Sequence, residues 1–343
     1  MYTYYSQPWK METGDDVRIH HIAKSLAKHA KVVVYNLSHR TKSETITVKD
    51  DVVYVSLPRR FYQLAARLAR WKRQYDLDPL MKATHYIDEL IAAVKLSAAT
   101  SRADAVYVAG SMTLFSYLNR TAKHTIYDPL ANYAQTLHLQ SRHSILALLR
   151  YGLYLALHKL QLQHADHIVY PSKVDLENAT KMFNLKRATI IPNPPPICYT
   201  QQTPKDNEKP HFVLLAGGRG KINQEAVKAT IAVFNELPPQ AFHLYITGPW
   251  QDYAKYVKNP SIELLGTVPE DKLKEVLAAS HYGLAPIFHH AAGTFLKTLT
   301  YVAAGLHLIT TPRGLIGIDK EKLQDRCIYL VKNPHDYREA VHR

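Results

Sequence analysis

The stretch Ala292–Gly317, AGTFLKTLTYVAAGLHLITTPRGLIG, decides how this chain is read. It runs as a Gly-Thr turn, an amphipathic helix, a Gly that ends the helix, a short apolar strand and a second Gly-rich turn. Gly293 and Thr294 stand at the helix start. The first backbone N–H groups there lack partners within the helix, and together with the helix dipole they can hold a phosphate or carboxylate. Gly305 suits the left-handed residue that closes a helix, and His307 to Thr310 follow as a buried strand. A Gly-Thr turn by itself only caps. The order of the parts carries the weight.

The same rhythm extends outward. Phe212–Leu237, FVLLAGGRGKINQEAVKATIAVFNEL, reads as a strand, a Gly-rich turn and a helix. Phe242–Trp250, FHLYITGPW, gives the next strand and turn, and Ser261–Ile287 a strand, a helix and a strand. Three turns therefore fall at strand ends: Gly217–Lys221, Thr247–Pro249 and Leu265–Val268. Ligands of open α/β sheets sit beyond the carboxyl ends of the strands. Glycines let the backbone approach a diphosphate, and Arg219 and Lys221 offset its charge. The competing reading of each turn is a bend needed only for the fold, with solvated cations.

Upstream, Tyr2 to Tyr5 form an abbreviated strand, Gly14 lies in a loop, and Val17 to His29 carry the i, i+3, i+4 spacing of a half-buried helix. Lys31–Leu37, Val52–Leu57, Ala105–Ala109, Thr125–Tyr127 and His167–Tyr170 are apolar runs of strand length. A long helix spans Ser144–His164. Strands alternating with helices imply parallel sheets covered on both faces. Asn193-Pro194-Pro195-Pro196 and the polar residues after it make a linker. The expected organisation is a first domain over 1–195, a linker over 196–210 and a second domain over 211–343.

These segments, in this order, resemble the GT-B glycosyltransferases, specifically the retaining family 4 (group 1) proteins. That family carries G-T-x-x-K-x-x-E-x-x-A-x-G-x-P-V-I-x-T-x-x-G-x-x-G. Here Gly293, Thr294, Lys297, Ala303, Gly305, Ile309, Thr311, Gly314 and Gly317 fall on the pattern. The resemblance implies an α/β protein of GT-B architecture, two Rossmann-like doubly wound parallel-sheet domains facing a central cleft. It implies transfer of a sugar from a UDP- or GDP-sugar to an acceptor hydroxyl with retention, the donor in the second domain and the acceptor in the first. The acceptor is a glycan, a lipid-linked sugar or a protein.

By the same resemblance, Arg219 and Lys297 offset charge on the leaving diphosphate. Gly14, Gly218, Lys221, Gly248, Thr267, Val268, Gly293, Thr294, Phe295 and Leu296 contact the nucleotide-sugar. No cofactor and no metal is implied. The family's Lys five residues after its Arg is replaced by Gln224, with Lys221 or Lys297 as substitutes. The usual Glu-x7-Glu falls on Ala292 and Thr300, neither of which is an acid or base; Thr300 retains one hydrogen bond for a ribose hydroxyl. Leu130 stands where relatives place a His, which leaves Asp128 as the polar residue at that strand's mouth, in a catalytic role or as a turn former before Pro129.

Composition sets bounds. With 343 residues and 46% apolar side chains the chain suits two globular domains. Lys and Arg number 43 against 29 Asp and Glu, a net charge of +14 that favours an anionic partner. Two cysteines, Cys198 and Cys327, make no disulfide framework and suit a reducing, cytoplasmic setting. The first residues show no export signal. Nineteen histidines include the pairs His20-His21 and His289-His290, whose neighbours lack metal-ligand spacing.

Arg59–Tyr75 is a basic, aromatic-bearing helix that either lies on an acidic membrane surface or packs on the sheet with a solvated back. Ile145–Leu157 falls short of a membrane span and reads as a core or interface helix. Besides sugar transfer, a catalytically inactive GT-B scaffold binding a nucleotide, glycan or protein fits the missing carboxylates. Nucleic-acid binding rests on net charge alone, with no reader motif.

Overall fold

The computed structural model describes residues 1–3, 8–10, 14–38, 40–61, 63–64, 78–110, 122–130, 145–185, 187–195, 209–288, 294–318, 323 and 327–342. The chain divides into two compact units, Met1–Pro194 and Pro195–Arg343. Residues 196–208 of the expected linker, and residues 62 and 65–75 of the expected basic helix, lie outside the described residues.

The N-terminal unit holds an eight-stranded sheet in the order β3-β4-β2-β1-β5-β6-β7-β8. The strands are β1 (Tyr2–Thr3), β2 (Val33–Ser38), β3 (Thr45–Lys49), β4 (Val52–Pro58), β5 (Ala105–Ala109), β6 (His124–Asp128), β7 (His167–Tyr170) and β8 (Ala188–Ile190). Every pairing is parallel except that of β3 with β4. Sequence reading passes over β3, a short edge hairpin. Its turn, Asp50-Asp51, has φ of 52° and 61°, the pair of positive values that matches the twist of a two-residue hairpin.

Among the described residues the α-helices of this unit are α1 (Gly14–Ala27), α2 (Asp78–Ser101), α3 (Ile145–His164) and α4 (Lys173–Phe183). Gly14 opens α1 rather than preceding it, and Asp15 and Asp16 sit in the first turn, where the dipole favours them. Leu26, near the end of this half-buried helix, is exposed. Ser172 caps α4 by accepting from the Asp175 N–H at 3.1 Å, and Asn184 closes the helix with φ of 51°. Side chains of β5 alternate between the two faces. Val106 and Val108 join α2, α3 and α4 in one core, whereas Tyr107 and Ala109 join α1 in another.

The C-terminal unit holds six parallel strands in the order β11-β10-β9-β12-β13-β14. These are β9 (His211–Leu215), β10 (His243–Thr247), β11 (Ile262–Gly266), β12 (Tyr282–Ala285), β13 (His307–Thr310) and β14 (Ile328–Leu330). Its helices are α5 (Lys221–Phe234), α6 (Glu270–Ala279), α7 (Leu296–Ala303) and α8 (Pro334–His342). Gly305 follows α7 with φ of 82°, and β13 starts two residues later, as the spacing predicts.

The strand order reverses between β9 and β12, which pair only at Phe212–Tyr282 and Val213–Gly283. Beyond that point Tyr301 of α7 fills the gap. Its hydroxyl accepts from the Leu215 N–H at 2.7 Å and donates to the Leu284 carbonyl at 3.1 Å. The ring is fully buried and lies against Gly283, where any Cβ would overlap it. Tyr301→Phe removes the shared partner of both backbone groups and should cost about 1–3 kcal/mol. Gly283→Ala should destabilise by overpacking. Urea unfolding followed by tryptophan fluorescence checks both.

Candidate functional site

The carboxyl-end turns of the C-terminal sheet are laced together. The Ala216 N–H donates to the Thr247 carbonyl at 3.2 Å, and the Gly248 N–H to the Gly266 carbonyl at 2.7 Å. Trp250, buried beneath them, donates its indole N–H to the Ala216 carbonyl at 2.7 Å. Gly248 and Gly266 have φ of 108° and 74°, and side chains there would overlap Ala216 and Gln251 respectively. These two glycines therefore have a structural reason to be glycine. Thr267 is exposed and Val268 half-buried beside them.

Two helix starts face out from these turns without side-chain caps. Gly220 precedes α5 and Phe295 precedes α7, and neither receives a side-chain hydrogen bond. Gly218 is exposed in the turn before α5. The hydroxyls of Thr294 and Thr298, four residues apart, are buried and find no hydrogen-bond partner among the described residues. Gly293, with Ala292, His289 and His290, lies outside the described residues.

Lys297 joins the two starts. Its ammonium donates to Asn223 Oδ1 at 2.6 Å, and the Asn223 amide donates to the Gly218 carbonyl at 2.8 Å. Burial pushes the Lys297 ammonium down to about 8 from the usual lysine range. Lys221, the other substitute for the missing lysine at Gln224, is exposed and lies 4.0 Å from Glu225. Asn223 escapes sequence reading because a lone Asn in the first turn of a helix has no distinguishing pattern.

Arg219 is engaged elsewhere. It makes a two-pronged pair with Asp252, at 2.9 and 2.6 Å, donates to the Pro249 carbonyl and stacks over Trp250 at 5.4 Å. Thr300 is buried, and its hydroxyl donates to the Leu296 carbonyl at 2.9 Å, one turn back in its own helix. That hydrogen is committed to the helix and does not reach outward.

In the N-terminal unit Asp128 is the last residue of β6, at that strand's mouth, and is wholly buried. Oδ2 accepts from Arg18 Nε at 2.8 Å and from the Tyr107 hydroxyl at 2.5 Å, and Oδ1 accepts from the Leu130 N–H at 2.9 Å. Arg18 also donates to the Ile191 carbonyl at 2.7 Å and to Asn193 Oδ1 at 2.9 Å. One buried ion pair thus fastens α1 to the ends of β6 and β8. Asp128 acts here on Arg18, the backbone and Tyr107. His20, one half of a pair noted in the sequence, lies 2.6 Å from the Tyr54 hydroxyl and 3.0 Å from Asp50.

With this geometry in place, comparison with known proteins defines the class. WaaG, a glycosyltransferase involved in lipopolysaccharide biosynthesis, is similar with a TM-score of 0.68 and 16% identity over 99% of this chain and 88% of that one. The trehalose-6-phosphate structure from E. coli bound with UDP-2-fluoro glucose is similar with a TM-score of 0.67 and 14% identity over 100% and 90%. The fold is GT-B, two parallel-sheet α/β domains. Residues 211–343 match the family described as Glycosyl transferases group 1, and the C-terminal unit is a group 1 glycosyltransferase domain. The gpi3 subunit of phosphatidylinositol N-acetylglucosaminyltransferase from Schizosaccharomyces pombe is 26% identical over 167 residues, 46% of this chain. The match spans 36% of that relative's length.

The buried pair generates a prediction. Arg18→Ala leaves the Asp128 carboxylate in the core without its cation, and breaking such a pair costs about 3–5 kcal/mol. The variant should unfold at much lower urea. Asp128→Asn, which keeps shape and one acceptor, should be milder than Arg18→Ala.

Proposed function

We propose that this chain transfers a sugar from a nucleoside diphosphate sugar, UDP- or GDP-linked, to an acceptor hydroxyl with retention. The carrying observation is the Lys297–Asn223–Gly218 chain of hydrogen bonds, which sets one half-buried ammonium between the starts of α5 and α7. Two uncapped helix starts and a cation form a preorganised field for two phosphates, and charge developing on a leaving diphosphate is stabilised there. On this reading Lys297 supplies the charge that relatives draw from the position of Gln224. Gly218, Thr294, Phe295 and Leu296 supply backbone around the diphosphate, and Gly248, Thr267 and Val268 border the base. The group 1 match over 211–343 and the sugar-nucleotide in a GT-B neighbour support this assignment. Sugar transfer to a lipid-linked or glycan acceptor is in keeping with the relatives' names.

A second reading has its own observation. Ala292 and Thr300 stand at the usual carboxylate places, and Thr300 is bonded into its helix. A domain that binds the nucleotide-sugar and does not turn it over fits that composition. Release of UDP or GDP from the sugar nucleotide, with acceptor or water, distinguishes a transferase from a scaffold.

Calorimetry with UDP, GDP and ADP tests the shared premise, and at least one should bind. Lys297→Ala should weaken that binding about ten- to a hundredfold, the loss of one charge-assisted contact of about 1.5–3 kcal/mol. Lys221→Ala should change it little. No binding by the parent protein removes both readings.

The pH dependence has a definite sign. Below pH 8 the Lys297 ammonium is charged and attracts the diphosphate; as pH rises past about 8 the free protein loses that proton and affinity falls. Lys297→Met should flatten the profile above neutrality, and calorimetry across this range reads the difference.

A further inference from the structure

We propose that the amino edge of the C-terminal sheet is an acid-sensitive latch, in which the neutral imidazole of His281 holds β12 to β9. These two strands pair only at Phe212–Tyr282 and Val213–Gly283 before they part. At the foot of that short ladder His281 meets His211 twice. The His281 N–H donates to the His211 carbonyl at 2.8 Å, and the His211 N–H donates to Nδ1 of the His281 ring at 3.0 Å. A ring nitrogen thus takes the place of the carbonyl that a longer ladder would supply.

That bond fixes the charge state. A backbone N–H only donates, so His281 Nδ1 presents its lone pair and the single ring proton sits on Nε2. An imidazolium carries a proton on both nitrogens. Protonation therefore turns Nδ1 into a second donor aimed at the His211 N–H, and the bond is lost. The next seam repeats the arrangement, with His307 Nδ1 accepting from the Cys327 N–H at 3.1 Å at the foot of β13 and β14.

The surroundings oppose added positive charge. His243 is in register with His211, and the rings of His243 and His281 lie 5.3 and 5.9 Å from that of His211. Three imidazoles thus form one row across neighbouring strands. Burial first, then His243, His281 and Lys209, hold the His211 ring below the usual histidine range. Its Nδ1 is buried with no partner among the described residues. Tyr245 lies 4.4 Å from His243, and Tyr282 lies 5.6 Å from His307, with Tyr329 and Cys327 beyond it. Lys272 of α6 faces Tyr245 and Glu263. Glu263, the carboxylate of this group, sits 3.4 Å from His243 Nε2, with β10 and β9 between it and His281. A ring kept neutral by the fold stabilises it above the ordinary histidine value of about 6.5, and that contribution is lost as pH falls through and below it. The latch lies at the end of the sheet opposite the nucleotide turns and is independent of them.

Acid also reaches the N-terminal unit, where burial pushes His158 down to about 4, so the readout has to be local. Hydrogen exchange of the full chain, corrected for the intrinsic rate, follows the peptide Lys209–Leu215. Its protection should fall about tenfold or more between pH 7.5 and 5.5. His281→Asn sets an amide oxygen near the Nδ1 position and does not titrate there, so its protection should match the parent at pH 7.5 and persist at pH 5.5. His281→Ala should lack that protection at both. Imidazole 15N shifts of the parent need no substitution, and at pH 7.5 the His281 ring should carry its proton on Nε2 alone. Parent protection that is unchanged between the two pH values, an equal acid loss in His281→Asn, or a proton on His281 Nδ1 at pH 7.5 each overturns the proposal.

Discussion

A parallel sheet that grows in both directions from its first strand must open where the order reverses. In the C-terminal unit that opening lies between β9 and β12, and a phenolic hydroxyl closes it. Tyr301 takes the N–H of Leu215 and gives to the carbonyl of Leu284, replacing the direct ladder that the splayed strands cannot make. Gly283 makes room for the ring. Because Tyr301 is one turn along α7 from Lys297, the same contact sets the rotation and depth of that helix. The ammonium is delivered to Asn223, and the uncapped helix start is held over the strand ends. Packing at the switch point and chemistry at its mouth are thus one constraint.

The charges of the chain are treated in two different ways. Arg18 and Asp128 are both buried, with carbonyl, amide, hydroxyl and N–H partners around them, and their role is to join elements. Lys297 is partly buried with a neutral amide as its partner, and burial lowers its proton affinity. Arg219 lies between these cases. Its pairing with Asp252 is exposed and solvent-screened, so it adds little to the stability of the fold.

The N-terminal unit buries carboxylates beside its apolar core while leaving aliphatic side chains exposed. Asp88 and Glu89 have bonded partners inside, while the aliphatic stripes of α2 (Ile87, Leu90, Ile91 and Val94) and α3 (Leu148, Leu149 and Leu153) remain outside. The unit has a complete core without those stripes, since Ala92, Ala93, Leu96 and Leu162 already seal the sheet beneath them.

Much of this architecture was legible from residue order. Gly305, the apolar run His307–Thr310 and the strand-turn-helix rhythm from Phe212 to Ile287 mark their elements because backbone sterics and side-chain period act locally. Lys297 and the turn glycines were likewise visible as candidates. The short β3 hairpin was passed over because a five-residue edge strand leaves a weak pattern, and α2 because apolar residues occupy both its inner and its outer side, so no single stripe stands out. Three facts needed the folded chain: that Asp128 is enclosed by Arg18 and Tyr107, that Arg219 turns to Asp252, and that Lys297 rather than Lys221 reaches the Gly218 turn. Each joins residues 21 to 110 positions apart or depends on side-chain direction. Local sequence sets which groups are present, whereas burial and distance, which set their charge and reach, arise only when remote segments pack.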